Sequence, residues 1–469
     1  MAALIQKQQI NVVGVKSDKA DQLLGYIVEN PLLEEALLVK KIFPNNANEQ
    51  HNYNRLKRSL RQRLVNTLFA SDPRQKNYWE LYFDVGKKDL VCNFLWNKEK
   101  GRAAAEMANE ALKVAMKYHF TDFSCSLSRR LSNHYAVIVS DPIKFREYQT
   151  INQLYGDKLK WEQKAENCYY DLAFHLRTTK AIDTALIEKT EIYIKDLGAA
   201  SDNISWTFEF IRVLIVVILS KMKNDGQGVI EICEKALKYF ESLPFQLPNR
   251  PIRSINFHLI PAFVQSKQYT LAQATIQKVK SLIPKTGYNW IAIHQYEAIV
   301  GFHTNDFNQS ASAIKEIKKS KLASRIREEV RIYETYHSFF SGEPIRMTTF
   351  LNDTPKFSLD KKGMNINRVV LQVLVLLSKN DRAGIIDRAE SLEKYAYRYL
   401  TKDETVKRSQ IFFRLLFLMV KSAFDPKEIE KRTAKTFLEL QQTPRHLSTI
   451  DIEVLPYELL WERVKQILG

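Results

Sequence analysis

Apolar residues recur along most of the chain at intervals of three and four, the period of an amphipathic α-helix. Leu56, Leu60, Leu64 and Leu68 follow one another at strict i, i+4 spacing. Met107, Ala111, Val114 and Tyr118 share one face, as do Phe120, Phe123, Leu127 and Leu131. Strand-like alternation is absent, so the pattern predicts an all-α chain. Residues 1–17 show no helical period and read as a flexible arm. Residues 18–72 read as a small N-terminal module of three helices: Asp18 to Glu29, Leu32 to Phe43, and the helix of the leucine stripe. Residues 75–340 read as successive helix pairs and 341–365 as an irregular linker with room for one short helix. Residues 366–469 read as further pairs closed by a capping helix that starts at Pro456.

Punctuation supports these bounds. Gly86 reads as a break between two helices, Thr121 as a helix cap, and Asp141-Pro142 as the start of a long helix reaching about His175. Ser201 or Asp202 reads as the cap of the most apolar helix, which runs through Met222. Asp225-Gly226, Thr304-Asn305-Asp306 and Lys379-Asn380-Asp381 read as turns joining paired helices.

The clearest unit is Asn256 to Pro284, two amphipathic helices with a tight turn between them. Tyr269 and Phe307 stand 38 residues apart, each just after a polar turn and at the head of a second helix. Leu259 and Phe263, then Tyr269, Ala272, Ile276, Val279 and Pro284, resemble a tetratricopeptide repeat. The next unit keeps Ala298 and Phe307 but carries Ser310 and Ile314. Ile260 and Val279 stand where that family places small residues. With the ending EVLPYELLWERVKQIL, the pattern is similar to uncharacterised bacterial proteins of the tetratricopeptide type. The resemblance implies a right-handed α-solenoid of stacked antiparallel helix pairs, and binding of a protein or peptide on its concave face. Asn256, Gln265, Gln295, His303 and Trp290 are the groove candidates. The carboxylate clamp of some members is not matched, since Ser254, Phe257, Val264, Ala292 and Ile299 occupy the corresponding positions.

Charge narrows the choice of partner. With 70 Lys and Arg against 53 Asp and Glu, the net charge is +17. An acidic protein or peptide, or a nucleic acid, therefore suits the chain better than a basic partner. Ser242 to Tyr296 contains no carboxylate, yet holds Arg250, Arg253, Lys267, Lys278, Lys280 and Lys285. A second basic cluster, Arg55, Lys57, Arg58, Arg61 and Arg63, surrounds the leucine stripe of the third helix.

No motif carries catalysis. A phosphate-binding loop, a dinucleotide glycine run and a paired-histidine zinc helix are all missing from the sequence, and His294 and His303 are spaced wrongly for a metal pair. The expectation is a non-enzymatic chain without metal or cofactor. Four widely separated cysteines, Cys92, Cys125, Cys168 and Cys233, fit buried thiols in a reducing compartment. Ile211 to Leu219 is too short and too charged for a membrane span, so the expected setting is cytoplasmic, away from the membrane. Two functions follow as expectations. One is a scaffold or adaptor holding a protein segment. The alternative is a nucleic-acid-associated regulator whose basic third helix contacts phosphates.

Overall fold

A computed structural model describes residues 18–29, 33–44, 48–70, 77–178, 183–200, 204–320, 322–323, 326–343, 364–400, 406–447 and 453–469. These residues are predominantly helical, with no β-strand among them. The helices are α1 (Asp18–Glu29), α2 (Glu35–Ile42), α3 (Glu49–Ala70), α4 (Tyr78–Asn97), α5 (Gly101–Lys117), α6 (Thr121–Asn133), α7 (Pro142–Thr178), α8 (Thr184–Leu197), α9 (Trp206–Met222) and α10 (Gly226–Glu241). They continue as α11 (Asn249–Gln265), α12 (Tyr269–Leu282), α13 (Tyr288–His303), α14 (Phe307–Lys319), α15 (Arg327–Ser341), α16 (Met364–Ser378), α17 (Arg382–Tyr395), α18 (Lys407–Lys421), α19 (Pro426–Gln442) and α20 (Tyr457–Leu468). Single π-helical turns extend α6 over His134–Ile138 and α17 over Ala396–Leu400.

One turn chemistry recurs along the chain. Glu99, His119, Asn224, Lys267, Asn305 and Asn380 each follow a helix end with φ between 56° and 59°. The next N–H then reaches back to a carbonyl five residues earlier: Asp225 to Ser220, Gln268 to Phe263 and Asp306 to Gly301, all at 2.8 Å. This is the Schellman stop of a helix. Asn suits it because its short amide tolerates the left-handed region. Asp225, Asp306 and Asp381 then cap the following helix by accepting from Gly228, Gln309 and Gly384 N–H groups. Three residues thus stop one helix and start its antiparallel neighbour, and consecutive helices pack in pairs.

The chain divides into two compact units, residues 1–155 and 156–469. In the first, α1–α3 enclose Leu23, Leu38, Val39, Ile42, Tyr53, Leu60 and Leu64. Helices α4 and α6 lie side by side, joined by a Tyr82 hydroxyl on Asp122 at 2.5 Å and an Arg130–Asp89 ion pair at 2.8 Å. In the second unit, α9, α11, α13, α16 and α18 are buried around most of their circumference. Their partners α10, α12 and α14 are amphipathic with one buried face. Ser310 is fully buried on α14 and donates to the Ala298 carbonyl at 3.1 Å. It fills the small-residue position, because Gly301 on α13 comes so close that a Cβ there would fall 2.5 Å from its hydroxyl.

Several expectations need correction. Gly86 breaks nothing: α4 is continuous, and the missing Cβ makes room for the Phe123 ring, which a Cβ would meet at 3.0 Å. Thr121 lies within the first turn of α6 and is buried; Phe120 precedes it without a side-chain cap. Helix α11 starts at Asn249 and includes Pro251 and Pro261, so Arg250 and Arg253 sit in its first turns. The apolar helix α9 is capped by Ser205, which accepts from Phe208 N–H; Ser201 and Asp202 lie outside the described residues. So do the 1–17 arm and most of the 341–365 segment.

Candidate functional site

The groove candidates are occupied within the chain. Asn256 is buried and donates to the Ile252 carbonyl at 2.6 Å. Gln295 reaches Glu329 on α15 at 3.0 Å, and Trp290 packs edge-on against His294. Gln265 and His303 do something sequence reading missed: they hold the segment that follows α19. The Gln265 amide donates to the Arg445 carbonyl at 2.6 Å, while Asn224 in the preceding turn accepts from the Leu447 N–H at 2.9 Å. The Arg445 guanidinium lies 3.2 Å from His303 Nε2 and bonds Glu453 at 3.0 Å.

Glu453 is the hub of this closure. It accepts from Arg408 Nε and Nη2, both at 2.9 Å, from Arg445, and from the Tyr457 N–H at 3.1 Å. Burial raises its pKa, but Arg445 and Arg408 outweigh burial and hold the carboxyl near 2. Arg408 also donates to the Leu440 and Thr443 carbonyls and pairs with Glu458 at 2.6 Å. Tyr457 stacks on Phe412 with centroids 4.6 Å apart, and α20 packs against α16, α18 and α19. Burial and the nearby Arg445 push the His303 pKa well below 6.5.

The basic residues divide by role. In the carboxylate-free stretch, Lys280 pairs with Glu297 at 2.6 Å and Lys278 approaches Glu241 at 4.0 Å; the two carboxylates sit just outside either end of that stretch. Arg250 and Lys267 are exposed and Arg253 is half-buried. On α3, Lys57 pairs with Glu35 at 2.8 Å and Arg63 turns inward toward Asp21 at 3.7 Å, while Arg55, Arg58 and Arg61 stand exposed.

A cleft of about 330 Å³ opens between α16 and α17. Val369 and Gln372 on α16 form one wall and Leu392 lies opposite. Arg388, Lys394 and Arg398 bring three positive charges to it, and Tyr395 and Tyr399 add rings whose centroids are 5.1 Å apart. The π turn after Tyr395 supplies Arg398 and Tyr399; the extra residue per turn shifts the helical phase there. No Asp or Glu is among the described residues that line the cleft. The sequence hides this site because its cations are mixed with Asp387 and Glu393 along α17.

Among the described residues there is no cluster of three or more His, Cys, Asp or Glu that could hold a metal, and no helix long and apolar enough to cross a membrane. Cys92 and Cys233 are buried, and desolvation pushes their thiols up to about 11 and 12. Comparison with known proteins finds no matching family model, no matching curated protein and no matching solved structure.

Proposed function

We propose that the chain is a non-enzymatic scaffold of tetratricopeptide-like helix pairs, arranged as a right-handed solenoid, that binds an acidic segment of a protein partner. The cleft between α16 and α17 carries this reading: three cations and two tyrosines around a space large enough for one or two side chains, with no carboxylate in the described lining. Guanidinium groups accept carboxylates in paired hydrogen bonds, and tyrosine faces cover the aliphatic stems beside them. The groove candidates of the sequence contribute differently in this reading. Gln265 and His303 are committed to the segment after α19, so the acidic partner docks on the α16–α17 face.

The test is fluorescence anisotropy of a labelled peptide of alternating Glu and Ala, against its Gln and Ala counterpart. The wild-type chain binds the Glu peptide more tightly, and added salt weakens the complex. Lys394→Gln with Arg398→Gln lowers affinity about tenfold, each exposed charge contributing up to roughly 1 kcal/mol. Equal affinity for the two peptides, or no change in the double variant, refutes the reading.

A further inference from the structure

The cluster Arg55, Lys57, Arg58, Arg61 and Arg63 looks uniform in sequence, but the fold splits it. Lys57 and Arg63 fasten α3 to α2 and α1 through Glu35 and Asp21. Arg55, Arg58 and Arg61 take no ion pair among the described residues and face solvent. His51, Arg55, Arg58, Gln62 and Asn66 form one outward stripe at i, i+4, i+7, i+11 and i+15, with Arg61 on its flank. All six are exposed. From Gln50 to Ala70 the sequence contains no Asp or Glu.

We infer that the outward face of α3 is a docking surface for double-stranded DNA. Charge complementarity identifies a polyanion, since three solvated guanidinium groups with amides between them match phosphate oxygens and base edges. Shape then selects the duplex. Helix α3 has 22 residues, about 33 Å of rod, and a helix with its side chains is about 10–12 Å wide, the width of the B-form major groove. The deep, narrow major groove of A-form RNA does not admit such a rod. Single strands are held by stacking on successive aromatic rings, and here Tyr53 is buried in the module core while Phe69, the exposed ring of α3, stands at its C-terminal end edge-on to Phe83, so no row of open rings accompanies the arginines. The helix is also firmly mounted. Tyr53, Leu60 and Leu64 anchor its inner face to α1 and α2, so the arginines project from a rigid element.

The experiment uses the full chain and a labelled mixed-sequence DNA duplex, with anisotropy read from ~50 to ~200 mM salt. The wild-type chain binds with a steep loss of affinity on added salt. Arg58→Gln with Arg61→Gln lowers affinity at least tenfold and reduces the salt slope by about 2, one unit for each phosphate contact removed. Lys394→Gln with Arg398→Gln removes the same charge elsewhere and leaves duplex binding within threefold of wild type. Equal losses in the two variants mean that binding follows net charge, and overturn the inference. An unchanged slope in the α3 variant overturns it too, as does equal affinity for single-stranded DNA or duplex RNA, or tighter α3-dependent binding of polyglutamate. Circular dichroism verifies that the variants keep their helix content.

Discussion

Replacing Glu453 by Gln tests the closure formed by the segment after α19. The carboxylate is 3% exposed and receives four hydrogen bonds, three of them from the guanidinium groups of Arg408 and Arg445. An amide of the same shape keeps one acceptor oxygen but turns an N–H₂ toward donors; it leaves Arg408 with Glu458 as its carboxylate partner and Arg445 with no carboxylate partner among the described residues. Breaking a buried pair from one side costs about 3–5 kcal/mol. The carboxyl pKa gives an independent figure. A fall from 4.5 to about 2 corresponds to about 3 kcal/mol of folding free energy. The folded pKa is depressed, so this stability is fully present above pH 4.5 and is lost as pH falls toward 2. The chain has two compact units, so local opening is the appropriate readout. Hydrogen exchange of the 440–447 and 457–468 amides should accelerate about a hundredfold in the Glu453→Gln chain at neutral pH. With exchange carried out at pH 3 and rates corrected for the intrinsic pH dependence of amide exchange, the difference should shrink by about 2 kcal/mol as the wild-type chain loses its carboxylate advantage. Exchange within threefold of wild type at neutral pH would show that the arginines are satisfied without Glu453 and would refute this account of the closure.

Other positions give sharper local tests. Gly301→Ala places a Cβ 2.8 Å from the Asp306 carbonyl oxygen, and overpacking of this kind lowers stability by about 1–3 kcal/mol, seen as earlier thermal loss of helix. His258 and His303 are held neutral, His258 at about 3 through burial and then Lys221. The unfolded chain takes up these protons below pH 6.5 and the folded chain does not, so stability present above 6.5 should fall by about 3 kcal/mol at pH 5.5. His303→Phe should remove roughly half of that dependence in a pH series of denaturant midpoints. Lys267 is a non-glycine residue with φ 58° in a helix stop; Lys267→Asn should raise the thermal midpoint through about 0.5 kcal/mol of relieved strain, and a lower midpoint would show that the Lys267 side chain contributes more than that strain.

The sequence by itself determined the helices and where they stop. Leu60 and Leu64 lie on the buried stripe that their spacing predicts, and Asn305-Asp306 and Asn380-Asp381 mark stops and starts because αL tolerance and capping are local properties of Asn and Asp. Gly86 was misread for the complementary reason: a glycine that breaks a helix and one that admits a neighbouring ring look alike until Phe123 is in place. Tertiary structure alone decided what the polar side chains do. Gln265 meets a carbonyl 180 residues away, and Arg408 on α18 meets Glu453 of the segment after α19 across 45 residues. Periodicity ranks burial along one helix but carries no information about which distant segment arrives opposite it. The same limit applied to charge. Composition gave a basic chain, and only packing separated Lys57 and Arg63, spent on holding α3 in place, from Arg55, Arg58 and Arg61, which face outward.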